Sequence, residues 1–309
     1  MPVSIEVSDL EFRYGEVEAL RGVSFKVEAG ARYGLIGPNG GGKSTLMKLL
    51  STALPLANAT AGRIAYFGKG LPQAEQAVRE KIGVVFQTST LDKKLSIREN
   101  LSLMGRLQGI SGTTLSGKVR AITDQLDLTA KFNSRVETLS GGLKRRAELA
   151  LALLHSPEVV LLDEPTTGLD PLVRREFWSL LTHVMKERGT TVVLATHLLD
   201  EAEFCDRLAL IHEGKIFAEG TPQSFIEQAQ GDIITITAKD PAALVGAIEK
   251  TYTVNPQVVG WEIQFELPNG RNFVGPIMEK WGPQIEAITV RKAGLESFFI
   301  KMVAPRQVA

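Results

Sequence analysis

Apolar and polar residues alternate over residues 3 to 28: Val3, Ile5 and Val7, then Phe12, then Val23, Phe25 and Val27. A period of two predicts two antiparallel strands. Residues 32 to 36 form a short apolar run leading into a glycine-rich stretch, and residues 44 to 54 carry Leu46, Met47, Leu49 and Leu50 at helical spacing. Short strands are predicted over residues 64 to 67 and 82 to 86. The period then lengthens, predicting helices over 97 to 107, 116 to 126 and 141 to 154. The unbroken apolar run 159 to 162 suits a parallel strand covered on both faces. A helix over 174 to 187, a strand over 191 to 195, a short helix over 200 to 205 and a hairpin about Glu213-Gly214 follow.

A boundary is expected near residues 220 to 225. Beyond it come strand 233 to 237, helix 241 to 250, strands 257 to 259 and 262 to 266, helix 272 to 281 and strand 285 to 290. That order, βαββαβ, predicts a small ferredoxin-like α+β domain. Trp261, Phe265, Phe273 and Trp281 are its candidate core, and helix 295 to 302 closes the chain.

Composition narrows the picture. With 309 residues, 44% of them hydrophobic, the chain can bury one large core or two modest ones. The formal net charge is zero, which argues against nucleic acid as a partner. No apolar run reaches the roughly 18 to 20 residues that span a bilayer. The first residues lack a basic-then-apolar signal pattern, so a soluble chain made in the cytosol is expected. A single cysteine, Cys205, excludes an internal disulfide and a multi-cysteine metal site.

Residues 37 to 44, Gly37-Pro38-Asn39-Gly40-Gly41-Gly42-Lys43-Ser44, satisfy the phosphate-loop pattern G-x-x-x-x-G-K-S/T, with Thr45 next in the helix. Glycines let successive backbone N–H groups face an anion, and the helix adds its positive end. Lys43 is placed for the β- and γ-phosphates, and the Ser44 hydroxyl for Mg²⁺. The apolar strand ending in Asp163-Glu164 supplies the complementary chemistry. Asp163 would hold Mg²⁺ through water, and Glu164 would polarise the attacking water as general base.

Leu139-Ser140-Gly141-Gly142-Leu143 precedes a predicted helix, so Ser140 and the N–H groups of Gly141 and Gly142 form a second anion site. With this motif the chain resembles the ABC ATPases, whose signature is LSGGQ; only the fifth position, Leu143, departs. The resemblance runs over residues 3 to 222 and includes LLDEPTTGLDP from Leu161 to Pro171. It implies an α/β P-loop NTPase with a RecA-like core, an antiparallel β subdomain and an inserted helical subdomain at about 88–156. Residues 1–222 would form the ATPase domain and 223–309 an accessory domain, either a dimerisation or packing module or a regulatory sensor; the lack of a cluster of ligand-type residues from Ile233 to Val303 favours the first.

The resemblance also implies residue roles. Tyr14 would stack on adenine. Gln87 would contact Mg²⁺ and sense the membrane partner. Asp170 would lie in a loop crossing a dimer interface, and His197 would hydrogen-bond the γ-phosphate. Ser140 to Gly142 would bind ATP held by a second copy. The segment from Gln87 to Leu101 and the tail from Leu295 to Phe299 look most like the drug- and polysaccharide-exporting branch, typified by daunorubicin-resistance ATPases. Such a chain would dimerise on two Mg-ATP and work beside a transmembrane permease, at the cytoplasmic face of the membrane. The alternative is a soluble ABC ATPase acting on nucleic acid or ribosomes. Against it stand the missing coiled-coil insertion, the single ATPase domain and the neutral charge.

Overall fold

A computed structural model describes residues 2–229 and 231–303. The chain forms two units that divide between Gly220 and Thr221.

In the first unit an antiparallel sheet has the order Val17–Glu28, Val3–Tyr14, Ala61–Tyr66, Lys69–Gly70. Its inner face is built by the alternation seen in the sequence, with one shift. Ile5 and Val7 are buried, then Leu10 and Phe12. The change from odd to even positions falls at a break in register between Val7 and Leu10, where Asp9 has φ 48°. One extra residue there turns the pleat over, and the same face stays inward.

The second sheet has the order Lys215–Gly220, Arg207–His212, Arg32–Ile36, Thr191–Thr196, Val159–Asp163, Ile82–Val85. Five of these strands are parallel, and Lys215–Gly220 is an antiparallel edge. Val159 to Leu162 are fully buried, as expected of a strand covered on both faces. The helix Lys43–Leu50 sends Leu46, Met47, Leu49 and Leu50 into a core shared with both sheets. Helices Ile97–Leu107, Gly112–Gln125 and Gly141–Leu153 pack together beyond the strand Ile82–Val85. The first starts on a capping box, with Ser96 Oγ accepting from Glu99 N and Glu99 from Ser96 N. Helix Pro171–Arg188 then leads back to the sheet.

In the second unit the strands lie in the order Gln257–Val259, Glu262–Leu267, Asp232–Ala238, Ile285–Lys292, every neighbour antiparallel. Helices Pro241–Tyr252 and Val274–Trp281 cover one face through Leu244, Ile248 and Ile277. Helices Pro222–Gln228 and Leu295–Val303 meet through Phe225 and Phe298, ring centres 4.9 Å apart.

Several expectations need correction. Trp261 does not join the small core: it is 71% exposed. It sits with Gly260 in the tight connection between strands Gln257–Val259 and Glu262–Leu267, where a side chain points outward. Tyr252 does that packing instead, against Phe265, Phe273 and Trp281. Helices Glu75–Arg79 and Pro222–Gln228 and strand Lys69–Gly70 were not anticipated, being too short to show a period. The helix expected from 116 begins at Gly112, and the one expected from 174 begins at Pro171.

Leu161 is fully enclosed in the parallel sheet, so Leu161→Ala should lower stability by about 2–5 kcal/mol in a denaturant melt.

Candidate functional site

The phosphate loop lies between strand Arg32–Ile36 and helix Lys43–Leu50, at the carboxyl ends of the parallel strands. Two of its glycines are indispensable on geometric grounds. Gly42 has φ 103°, and a Cβ there would come within 2.6 Å of the Ala19 carbonyl oxygen. A Cβ at Gly37 would lie 2.1 Å from the Ile211 carbonyl oxygen. A cleft of about 340 Å³ opens over the loop. Tyr14, Asn39, Gly40, Gly42, Lys43, Ser44, Thr45, Gln87 and Glu164 line it, together with Val17. Tyr14 is half exposed, lines the cleft and meets Phe12 in a T-shaped ring contact, ring centres 4.8 Å apart.

Lys43 is buried. Its Nζ donates to the carbonyls of Gly37 at 2.7 Å and Pro38 at 2.9 Å, and lies 4.0 Å from Glu164 Oε1. Burial pushes its pKa down, against the nearby Glu164 and Asp163 charges that push it up. The Ser44 hydroxyl donates to Asp163 Oδ1 at 3.3 Å. Burial pushes the Asp163 carboxyl above the usual carboxylate range, and Glu164 adds to it, while the Ser44 hydrogen bond opposes.

Glu164 is where the site converges. Its carboxylate accepts from Gln87 Nε2 at 3.2 Å and from Thr167 Oγ1 at 3.2 Å. His197 Nδ1 stands 3.1 Å from Glu164 Oε1. A carboxylate only accepts, so Nδ1 donates and Nε2 is left for another partner. The Glu164 backbone has φ 48° and its N–H donates to the Ala195 carbonyl at 2.8 Å. Segments that follow three of the parallel strands thus hold one carboxylate at the buried end of the cleft.

The Ser140 side chain caps helix Gly141–Leu153 by accepting from Leu143 N at 3.4 Å. A Cβ at Gly142 would fall 2.4 Å from Val173 Cγ1, so this helix start lies close against helix Pro171–Arg188. Asp170 caps that helix, accepting from the N–H groups of Leu172 and Val173. Ser140, Gly141, Gly142 and Asp170 do not line the cleft. The predicted residues therefore fall into two clusters on one chain. The sequence reading did not single out Thr167, nor Arg145, whose guanidinium donates to the Phe86 and Glu164 carbonyls. Arg145 acts on backbone carbonyls, which leave no mark in a sequence motif.

The family model described as ABC transporter matches residues 20–167. The Nod factor export ATP-binding protein I of Burkholderia lata is 43% identical over 247 residues, covering 79% of this chain and 80% of that protein.

This chain belongs to the ABC transporter ATP-binding family.

The namesake protein of Rhizobium sp. is 38% identical over 84% of each chain. Among solved ABC structures, cbiO1 from Clostridium perfringens, part of the transporter complex cbiONQ, superposes with TM-score 0.68 at 28% identity, over 74% of this chain and 92% of that one. A dimeric ATP-binding cassette in a post-hydrolysis state, bound to ADP and Pi, superposes with TM-score 0.63 at 26% identity, over 70% and 98%. The P-loop fold and the ATPase activity are those of this ABC family.

In the ligand-free chain, Asp163 should weaken the fold at neutral pH. Its folded-state pKa is raised, so the stability of the protonated form is present in acid and is lost as pH rises through that pKa. Asp163→Asn should raise the melting temperature at pH 7, by about 2–4 °C per kcal/mol of relief, with the gain vanishing in acid. Differential scanning calorimetry across pH checks this.

Proposed function

We propose that this chain is the ATP-hydrolysing subunit of an exporter, working as two copies that close on two ATP beside a separate transmembrane subunit. The observation that carries the reading is the set of four side chains, Gln87, Thr167, His197 and Lys43, around the buried carboxylate of Glu164 at the end of a phosphate-loop cleft. Export is supported by the relatives, which are Nod factor export proteins at about 40% identity. No helix among the described residues is long and apolar enough to cross a membrane, so passage of a substrate would need another subunit.

Tyr14 stacks on the adenine. The loop N–H groups, with Lys43 and Thr45, hold the phosphates. Lys43 exchanges its two carbonyl partners for phosphate oxygens, which suits an ammonium destabilised by burial. Ser44, Asp163 and Gln87 would hold Mg²⁺. They fit it: the set is oxygen-only, with one carboxylate, and Mg²⁺ is commonly bound by one or two carboxylates plus substrate phosphates. Burial raises the Asp163 carboxyl pKa in spite of the Lys43 and Lys48 charges, so a further cation would favour its ionised form. When bound, the ion neutralises charge developing on the phosphates. Glu164 takes a proton from water as the water oxygen attacks the γ-phosphorus. The bond to the β–γ bridging oxygen breaks, leaving ADP and phosphate. His197, donating from Nδ1 to Glu164, presents Nε2 to the γ-phosphate and donates to it there when the ring carries both protons. Ser140, Gly141 and Gly142 serve the nucleotide of the second copy, and Asp170 lies at the interface between copies. The unit beyond Thr221 is an accessory domain for packing or dimerisation.

Two substitutions test this reading. Lys43→Ala should abolish ATP binding or turnover; normal turnover would sink the phosphate-loop assignment. Glu164→Gln should keep binding, lose about 10²–10⁴-fold in kcat and accumulate an ATP-bound dimer on size exclusion. A monomer with normal hydrolysis would remove Glu164 from the base role.

A further inference from the structure

Arg145 lies early in helix Gly141–Leu153 and is nine-tenths buried. Its guanidinium is spent on main-chain oxygens. Nη1 donates to the Phe86 carbonyl at 2.8 Å, Nη2 to the Glu164 carbonyl at 2.9 Å, and Nε to the Pro165 carbonyl. Glu148, one turn further along the helix, accepts from Nη1 and offsets the buried charge. Four of the five N–H donors of the fork are engaged.

The carbonyls it holds belong to the working residues or their neighbours. Phe86 immediately precedes Gln87, and Pro165 immediately follows Glu164. Glu164 has φ 48°, a conformation that a non-glycine residue keeps only where its surroundings over-determine it. Arg145 supplies two of those constraints, on the carbonyls of Glu164 and Pro165; the Glu164 N–H bond to Ala195 supplies a third. A planar fork spans three acceptors at once, and a lysine ammonium on a flexible stem does not replace it.

We infer that Arg145 is a positioning residue for hydrolysis: it fastens the backbone presenting Gln87 and Glu164 to the helix capped by Ser140, so that a shift of that helix shifts the base. The inference rests on the role proposed above for Glu164. Ser140 begins the same helix, only five positions before Arg145. Engagement of Ser140 by the nucleotide of one copy therefore sets the geometry at the other nucleotide, where this chain supplies the base.

The test is Arg145→Lys in the full chain, beside wild type and Glu164→Gln, with kcat for MgATP, Kd for a non-hydrolysable ATP analogue and a thermal melt. The expected result is a kcat lowered roughly 10–100-fold with Kd within about twofold, the signature of a displaced catalytic group rather than a damaged binding cleft. Wild-type kcat in Arg145→Lys overturns the inference. So does a Kd weakened in parallel with kcat, which would make Arg145 a support of the cleft alone. If Arg145→Lys loses its cooperative melt, Glu148→Gln takes its place. It keeps an acceptor oxygen and the side-chain size but not the charge that steadies the fork. It should lower kcat several-fold at constant Kd, and an unchanged kcat overturns the inference. Wild-type rates in Glu164→Gln would instead defeat the functional reading itself, whatever Arg145 does.

Discussion

Two adjacent carboxylates, Asp163 and Glu164, are buried at the end of strand Val159–Asp163, and the cleft is organised around that constraint. Removing an ion from water costs several kcal/mol even after relaxation. For Glu164 the structure offsets it with Gln87, Thr167, His197 and the nearby Lys43. For Asp163 it offers the long Ser44 hydrogen bond and the Lys43 and Lys48 charges, yet burial still raises the carboxyl pKa. Lys43 shows the opposite imbalance: an ammonium pushed down by burial, resting on two loop carbonyls. In neither group do the neighbouring opposite charges outweigh burial. Nucleotide phosphates would give the buried Lys43 ammonium further anionic partners.

Much of this was legible in the residues. The glycine loop, the apolar strand ending in two carboxylates and the serine-glycine helix start are each dictated by local chemistry, and local chemistry survives in sequence. The parallel strands announced themselves by unbroken apolar runs. The rest depends on distant parts of the chain meeting. Nothing in the neighbourhood of Arg145 says that its partners are carbonyls at residues 86, 164 and 165. Trp261 read as core because large aromatics usually are; its place in a two-residue connection decides otherwise. The bulge at Asp9 hid the continuity of the inner face because it reverses the alternation there.

Ser140, Gly142 and Asp170 form a cluster of their own beside helix Pro171–Arg188, outside the phosphate-loop cleft. On the function proposed above, the two clusters would be halves of a site completed by a second copy. Arg145 would make that sharing mechanical, because the helix that begins at Ser140 also holds the backbone of Glu164.

On the proposed function, hydrolysis requires two copies. The most direct measurement is specific ATPase activity over a dilution series, with the oligomeric state sized at the same concentrations in the presence of ATP. Activity per chain should fall as the dimer dissociates. Undiminished activity per chain where the protein is monomeric would contradict it.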